Sequence, residues 1–378
     1  MKFETTRNEA LKKLDNFINN EIVDYNFKRN FDYGPNQRKN VSCLSPYVSH
    51  RLITEYEIVK KVLKKHLYQK VDKYIQEVFW RVYWKGWLEL RPKVWTDFVE
   101  DLNSIKEDER LLNAKNGKTQ IECFNNWVSE LKQFNYLHNH TRMWFASIWI
   151  FTLKLPWQKG AEFFMQYLYD GDAASNTLSW RWVAGLQTKG KNYSAQSWNI
   201  SKFTNNKYKN IKLIENAKPL FDSREYKITP LSFSYKDNSN ENLIFFENDL
   251  NIETIDLKKY KKIYCVIIEN SSRIIKLDEK VLKFKKKIIE DQKARFDKIE
   301  IIDETKFQNI LQSVKSFDLI YPCIGENMSF IKRLSKKNNL NFSLILRNED
   351  IYSWQFSNKG YFNFKSNLPK ILSKFKMN

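Results

Sequence analysis

The chain has 378 residues, 42% of them hydrophobic and 15% aromatic, with a formal net charge of +20. That length can hold two domains with a sizeable core, and no apolar run is long enough to span a bilayer. Cys43, Cys123, Cys265 and Cys323 are scattered, as are His50, His66, His138 and His140, which argues against a disulfide framework and against a zinc or iron–sulfur site. The opening "MKFETTRNEALKKLDNF" lacks a signal-peptide core, so the expected location is the cytoplasm. Positive charge is spread over both parts of the chain. It fits a phosphate-rich partner such as nucleic acid, and equally a composition rich in Lys, Asn and Ile throughout.

In chain order, residues 4–20 read as an amphipathic helix and "NFDYGPNQRKN" (30–40) as a turn. Ile58, Val62 and Leu63, then Val71, Ile75, Val78, Phe79 and Val82, give helical spacing over 50–90. Pro92 and Pro156 punctuate further helices, and 121–134, 138–153 and 159–169 also read as helical. Eleven of the twelve tryptophans precede residue 216. The polar stretch 216–241 reads as a linker. Beyond it come short β-rich runs at 242–249, 261–269, 298–302, 318–322 and 342–346, with helical stretches at 277–295, 305–316 and 326–337 between them. This alternation predicts a parallel sheet with helices on its faces.

Four stretches carry unusual chemistry. In "DGDAASNTLSWRW" (170–182), a helix from 172 would stack Asp172, Asn176 and Trp180 on one face, with Asp170 as a cap at its entrance. Cap-and-core and ligand site are both open readings of it. In "LHNHTRMW" (137–144), His138 and Arg142 share a helical face and Asn139 and Met143 an adjacent one. The apolar continuation buries that helix, so Arg142 needs an anion, which Asp170 or a ligand could supply. In "EVFWRVYWKGWLEL" (77–90), Glu77, Trp80 and Arg81 fall at i, i+3 and i+4. In "NVSCLSPYV" (40–48), two serines before a helix could hold a phosphate.

Together and in this order, these stretches resemble the FAD-binding domain of the DNA photolyase and cryptochrome family. The resemblance covers roughly 1–200. It implies a multidomain α and α/β fold: an N-terminal all-α photolyase-type FAD-binding domain over 1–215, a linker over 216–241, and a C-terminal Rossmann-like parallel α/β domain over 242–378. "NLIFFENDLNIETIDLKKY" and "GYFNFKSNLPKIL" (360–372) are similar to the opening and closing of the family's antenna domain, which normally comes first, so a circular permutation is implied. An unrelated α/β domain sharing strand order is the alternative. Such sheets bind ligands at the carboxyl ends of their strands, here near Glu247–Asp249, Glu269–Ser271 and Pro322–Asn327. The antenna chromophore, if any, is not named by the sequence.

The resemblance assigns roles by position. Tyr25, Ser42, Leu44 and Ser45 would lie at the FAD diphosphate. Arg81, Asn139, Arg142, Asp170, Asp172 and Asn176 would surround the flavin, with Asn176 facing ring nitrogen N5. Glu77, Trp80, Asn139, Met143 and Trp182 would hold a cyclobutane pyrimidine dimer, since Asn139 and Met143 replace the histidines of enzymes acting on (6-4) photoproducts. Trp180 and Trp157 would begin an electron relay whose third member is missing from "LNS" at 102–104, with Trp95, Trp127, Trp144 or Trp149 as substitutes. Trp180, Trp157, Asn176 and Glu77 are thus the expected catalytic set. Val41, Cys43, Val82 and His140 depart from the family pattern. The expected function is light-dependent repair of pyrimidine dimers in DNA by a monomer. A cryptochrome-like photosensor that binds FAD without repair is the alternative, and a flavin-bearing nucleic-acid-binding module a third.

Overall fold

The computed structural model describes residues 1–231 and 240–377. Residues 232–239, inside the stretch read as a linker, lie outside the described residues. Helices come first. α1 (Arg7–Asn20) begins at Thr6, whose hydroxyl accepts from the Glu9 amide at 3.2 Å, and it buries Ala10, Leu14, Phe17 and Ile18 as one stripe. The short α2 (Tyr25–Lys28) and α3 (Ser45–Val48) flank the Gly-Pro turn region. The periodic stretch 50–90 divides into α4 (Glu55–Leu63), capped by Thr54, and α5 (Tyr68–Glu89). α5 buries Val71, Ile75, Phe79 and Val82, while Glu77 and Arg81 stay half-buried.

Next come α6 (Lys93–Ser104), α7 (Glu109–Lys115), α8 (Glu122–Phe134) and α9 (Asn139–Ser147). α9 runs on into a π-helical turn at Ile148–Thr152, so the helix expected over 138–153 changes pitch midway. α10 (Trp157–Tyr167), α11 (Ala173–Ala184) and α12 (Ser197–Phe203) complete the helical part. Residues 216–231 are irregular but tied down. The Leu220 amide donates to Ala184 O at 2.9 Å, the Thr229 amide to Leu90 O at 2.8 Å, and Arg224 pairs with Asp101 at 2.8 Å.

The C-terminal part is a five-stranded parallel sheet of order β3-β2-β1-β4-β5. β1 is Asn242–Phe246, β2 Lys262–Val266, β3 Ile299–Ile302, β4 Ser316–Ile320 and β5 Asn341–Ile345. The crossovers run through α13 (Glu279–Arg295), α14 (Glu304–Ser313) and α15 (Glu326–Asn338). α16 (Asn348–Trp354), α17 (Tyr361–Ser366) and α18 (Leu368–Lys374) follow the last strand. Alternate residues of β1 point to opposite faces. Ile244 and Phe246 join Phe307, Leu311, Phe330 and Leu334 of α14 and α15 in one core. Leu243 and Phe245 join a second core that runs without a break into the helical part.

The sheet's carboxyl edge therefore faces the helices rather than solvent. Arg51, from the loop before α4, reaches Asp249 after β1 at 3.0 Å and Asp350 of α16 at 2.7 Å. Glu89, at the end of α5, accepts from the Tyr321 hydroxyl and the Ile324 amide after β4, both at 2.6 Å. Gly86 of α5 lets α16 approach: a Cβ there would lie 2.6 Å from Trp354 Cδ1.

Candidate functional site

Asp170 sits where three helices meet. Asn135 fixes the turn before it, donating from Nδ2 to Tyr167 O at 2.8 Å and accepting from the Tyr169 amide at 2.9 Å. The Asp170 carboxylate is enclosed. Its Oδ2 accepts from Arg142 Nη2 of α9 at 2.9 Å and from the Ser45 hydroxyl at the start of α3. Its Oδ1 is buried and has no partner among the described residues. Arg142 is held from the other side by Leu137 O at 2.9 Å and lies over the Tyr136 ring. The anion required by Arg142 is thus Asp170, as one of the two sequence alternatives had it.

The helix cap is Asp172, not Asp170. Asp172 Oδ1 accepts from the Ser175 amide at 2.7 Å, leaving Oδ2 for Arg81 of α5. Asp170 comes two residues too early to reach the first turn and serves Arg142 and Ser45 instead. Burial alone would push the Asp172 carboxyl up, but Arg81 and then Lys85 outweigh it and hold it below the usual range. Arg81 is in turn kept charged against its burial by Asp172 and Asp170 together. Two arginine–aspartate pairs, from α5, α9 and the entrance of α11, therefore stand side by side.

Further along α11, Asn176 donates from Nδ2 to Ala161 O of α10 at 2.8 Å, which leaves its carbonyl oxygen free to accept. Trp180 is buried, and its Nε1–H has no partner among the described residues. Gly160 of α10 accommodates it, since a Cβ at that position would fall on the Trp180 ring. The Trp180 ring packs on Phe164 at 5.1 Å and edge-on to Trp149 at 6.2 Å. Trp157 packs instead on Phe98, at 5.6 Å, with the Arg181 guanidinium over it at 5.9 Å. Of the proposed substitutes, Trp149 adjoins Trp180. Trp127 and Trp144 stack on each other at 5.7 Å, and Trp95 donates to Ser329 Oγ at 3.3 Å.

The other expected residues are less gathered. Glu77 is paired with Lys73 at 2.9 Å and Arg29 at 3.5 Å. Trp80 lies against Tyr361 of α17, ring centroids 3.5 Å apart and nearly parallel. Trp182 is half-buried and stacks on Tyr193 at 5.8 Å, Met143 is half-buried and Asn139 is exposed. Tyr25 packs on Tyr74 at 5.0 Å, the Tyr74 hydroxyl pairs with Ser42, and Leu44 is buried. Between Ser42 and Leu44, Cys43 takes a left-handed φ of 48°. His138 caps α9 through the His140 amide at 3.2 Å, and burial pushes its imidazole down to about 4.

A buried cluster that no sequence motif signals lies close enough to Asp172 to feel its charge. Lys285 of α13 lies 3.0 Å from His50 Nε2 and 3.7 Å from Glu247, which pairs with Arg273 at 2.7 Å. Burial lowers the Lys285 amine to about 8 despite Glu247. Nothing in a lysine-rich helix marks one lysine as the buried one.

Residues 74–219, which include both arginine–aspartate pairs, Asn176 and Trp180, match the family described as FAD binding domain of DNA photolyase. The deoxyribodipyrimidine photo-lyase of Buchnera aphidicola subsp. Baizongia pistaciae is 32% identical over 182 residues, 46% of this chain and 38% of the relative. That of Agrobacterium fabrum is 33% identical over 184 residues, 47% of this chain and 37% of the relative. The chain thus spans about two fifths of the length of these curated relatives. Among solved structures, a bacterial class III photolyase from Agrobacterium tumefaciens aligns with a TM-score of 0.46 and 27% identity, over 53% of this chain and 43% of that one.

Proposed function

We propose that this chain binds FAD at the Asp170–Arg142 and Asp172–Arg81 pairs and uses it for light-driven repair of cyclobutane pyrimidine dimers in DNA. The observation that carries the reading is the buried Asp170 carboxylate. One oxygen is fixed by Arg142 and Ser45 while the other has no partner among the described residues, within the stretch that matches the FAD binding domain. A buried acceptor without a partner is costly and marks a place for a donor from a ligand. The donor set fits a flavin: two guanidinium groups to offset an electron-rich ring, carboxylates to hold them, and a free amide oxygen on Asn176 for a ring N–H. Bound FAD would supply light absorption and the electron that opens the cyclobutane ring.

The residues of the chain supply the rest. Asp170 and Leu137 O orient Arg142. Arg81 and the α11 entrance lock Asp172. Ser42, Leu44, Ser45 and Tyr25 are assigned to the diphosphate side, and the enclosing helices keep water from the ring. Photolyases are among the enzymes known to extrude their target base. Here Trp182, Met143, Asn139, Glu77 and Trp80 are assigned to the extruded dimer, and the net charge of +20 suits the DNA backbone. The α/β part is proposed as an antenna-like domain transposed to the other end of the chain.

One observation favours the photosensor reading. Tyr361 already covers a face of Trp80, and Glu77 is engaged by Lys73 and Arg29. Illuminating the FAD-loaded protein with a dimer-containing oligonucleotide decides between them. Blue-light-dependent restoration of the pyrimidines supports repair. A flavin that photoreduces with no restoration supports the sensor.

A further inference from the structure

A cleft of about 440 Å³ opens at the far end of α11, away from the Asp170 site. Its inner wall is Arg181 and the turn after α11. Its outer wall is the segment 220–227, just past the residues that match the flavin domain. The volume is in the range of small-molecule sites.

Arg181 is its floor. The side chain is only 5% exposed, its guanidinium lies between the rings of Trp157 and Tyr226, at 5.9 and 5.1 Å, and its Nε–H has no partner among the described residues. The nearest carboxylate, Asp222, is 3.8 Å away and already chelated by Arg224 at 3.0 Å. A buried cation so weakly neutralised calls for an anion. Among the other lining cations, Arg224 is taken up by Asp101 and Asp222, the exposed Lys189 pairs loosely with Glu225 at 3.4 Å, and Lys227 adds a further positive charge. Aromatic surface is offered alongside: Trp87, with Arg91 on one face, and Phe221, which is 91% exposed at the rim. What sets Phe221 apart from other exposed rings is its place at the rim of a cleft, beside a buried cation.

We propose that this cleft is a second binding site, taking a nucleoside phosphate: the base packs on Phe221 and Trp87, and the phosphate meets Arg181 with help from Lys189 and Lys227. Cations beside stacking platforms are how proteins read bases and phosphates without sequence preference. The same chemistry is offered by a free nucleotide and by a nucleotide within a single strand.

The test uses the full chain equilibrated with FAD and then freed of unbound flavin, so that neither the flavin site nor free FAD, itself an adenine nucleotide, competes. AMP, adenosine and inorganic phosphate are titrated while tryptophan fluorescence is followed. AMP is expected to saturate, with adenosine at least tenfold weaker. Phe221→Ala should weaken AMP about tenfold, with flavin absorbance unchanged, and Arg181→Gln should abolish the response. Should Arg181→Gln fail to fold, Phe221→Ala and Lys189→Ala carry the test, because both positions lie at the rim. Competition by a short oligodeoxyadenylate assigns the site to a strand, and its failure to compete assigns it to a free nucleotide. AMP that does not saturate, that binds no better than adenosine, or that is indifferent to Phe221→Ala would overturn the proposal. Loss of flavin absorbance alone would count against the flavin reading and leave the cleft's result standing.

Discussion

Asp170 and Asp172 are two residues apart and do different work, which shows how finely position divides roles among identical side chains. Asp172 has the helix cap and Arg81, while Asp170 has Arg142, Ser45 and one oxygen without a partner among the described residues. Asp170→Asn keeps the shape but removes the charge that holds Arg142. Its cost to FAD binding should be roughly 1.5–3 kcal/mol, or about 10- to 100-fold in affinity, read by flavin fluorescence titration. Unchanged affinity would make Asp170 a fold residue only. The motif that contains both aspartates was legible because its spacing is unusual. Which of the two caps the helix was not, because either fits a sequence rule for an N-terminus and only the path of the turn at 167–170 decides. Tyr361 over Trp80 and Lys285 beside His50 were invisible for a different reason: each contact joins residues far apart in the chain, and no local pattern encodes it.

At the scale of elements, α10 meets α11 at Gly160 and α5 meets α16 at Gly86. Gly160→Ala would press a methyl group into the Trp180 ring. Overpacking of this kind costs typically ~1–3 kcal/mol and should lower the denaturation midpoint while shifting the environment of Trp180. A midpoint equal to the parent's would mean that α10 can slide. The strands were read to within a few residues because runs such as "NLIFF" and "KIYCV" combine β-branched and aromatic residues between turn signals. Helices α7, α12 and α16 to α18 were not assigned from the sequence. Each has only six or seven residues, too few to show a period, and α16 and α17 are held by packing on α5. The end of α5 also makes a pH prediction. Burial raises the Glu89 carboxyl to about 7, against the hydrogen bonds from Tyr321 and Ile324 that favour its charged form. A carboxyl raised in the fold contributes stability that is complete below its unfolded value, about 4.3, and is lost as pH rises through 7. Chemical denaturation from pH 4.5 to 7.5 should show that decline in the parent protein, and Glu89→Gln should flatten it. A decline of the same size in the variant would assign it to other groups.

For the whole molecule, the helical part and the sheet share one apolar core, and their seam is ionic. Parallel sheets of this order usually present the carboxyl ends of their strands to a ligand. Here Arg51 from the helical part occupies that edge between Asp249 and Asp350, so the crevice expected near Glu247–Asp249 is filled from within the chain. Arg51→Ala would leave two buried carboxylates with reduced compensation, Asp249 keeping Arg347 and the Asn251 amide. Removing one partner of such a network typically costs about 3–5 kcal/mol, and urea denaturation should register it in both parts of the molecule at once. A change below about 1 kcal/mol would show that the seam is a loose contact. The account as a whole rests on the two arginine–aspartate pairs that α5, α9 and the entrance of α11 bring together, and one spectrum tests it most directly. The purified protein is equilibrated with FAD, freed of unbound flavin and scanned in the visible. The account predicts retained flavin absorbance that bleaches under blue light with a reductant; a colourless protein after that treatment would contradict it.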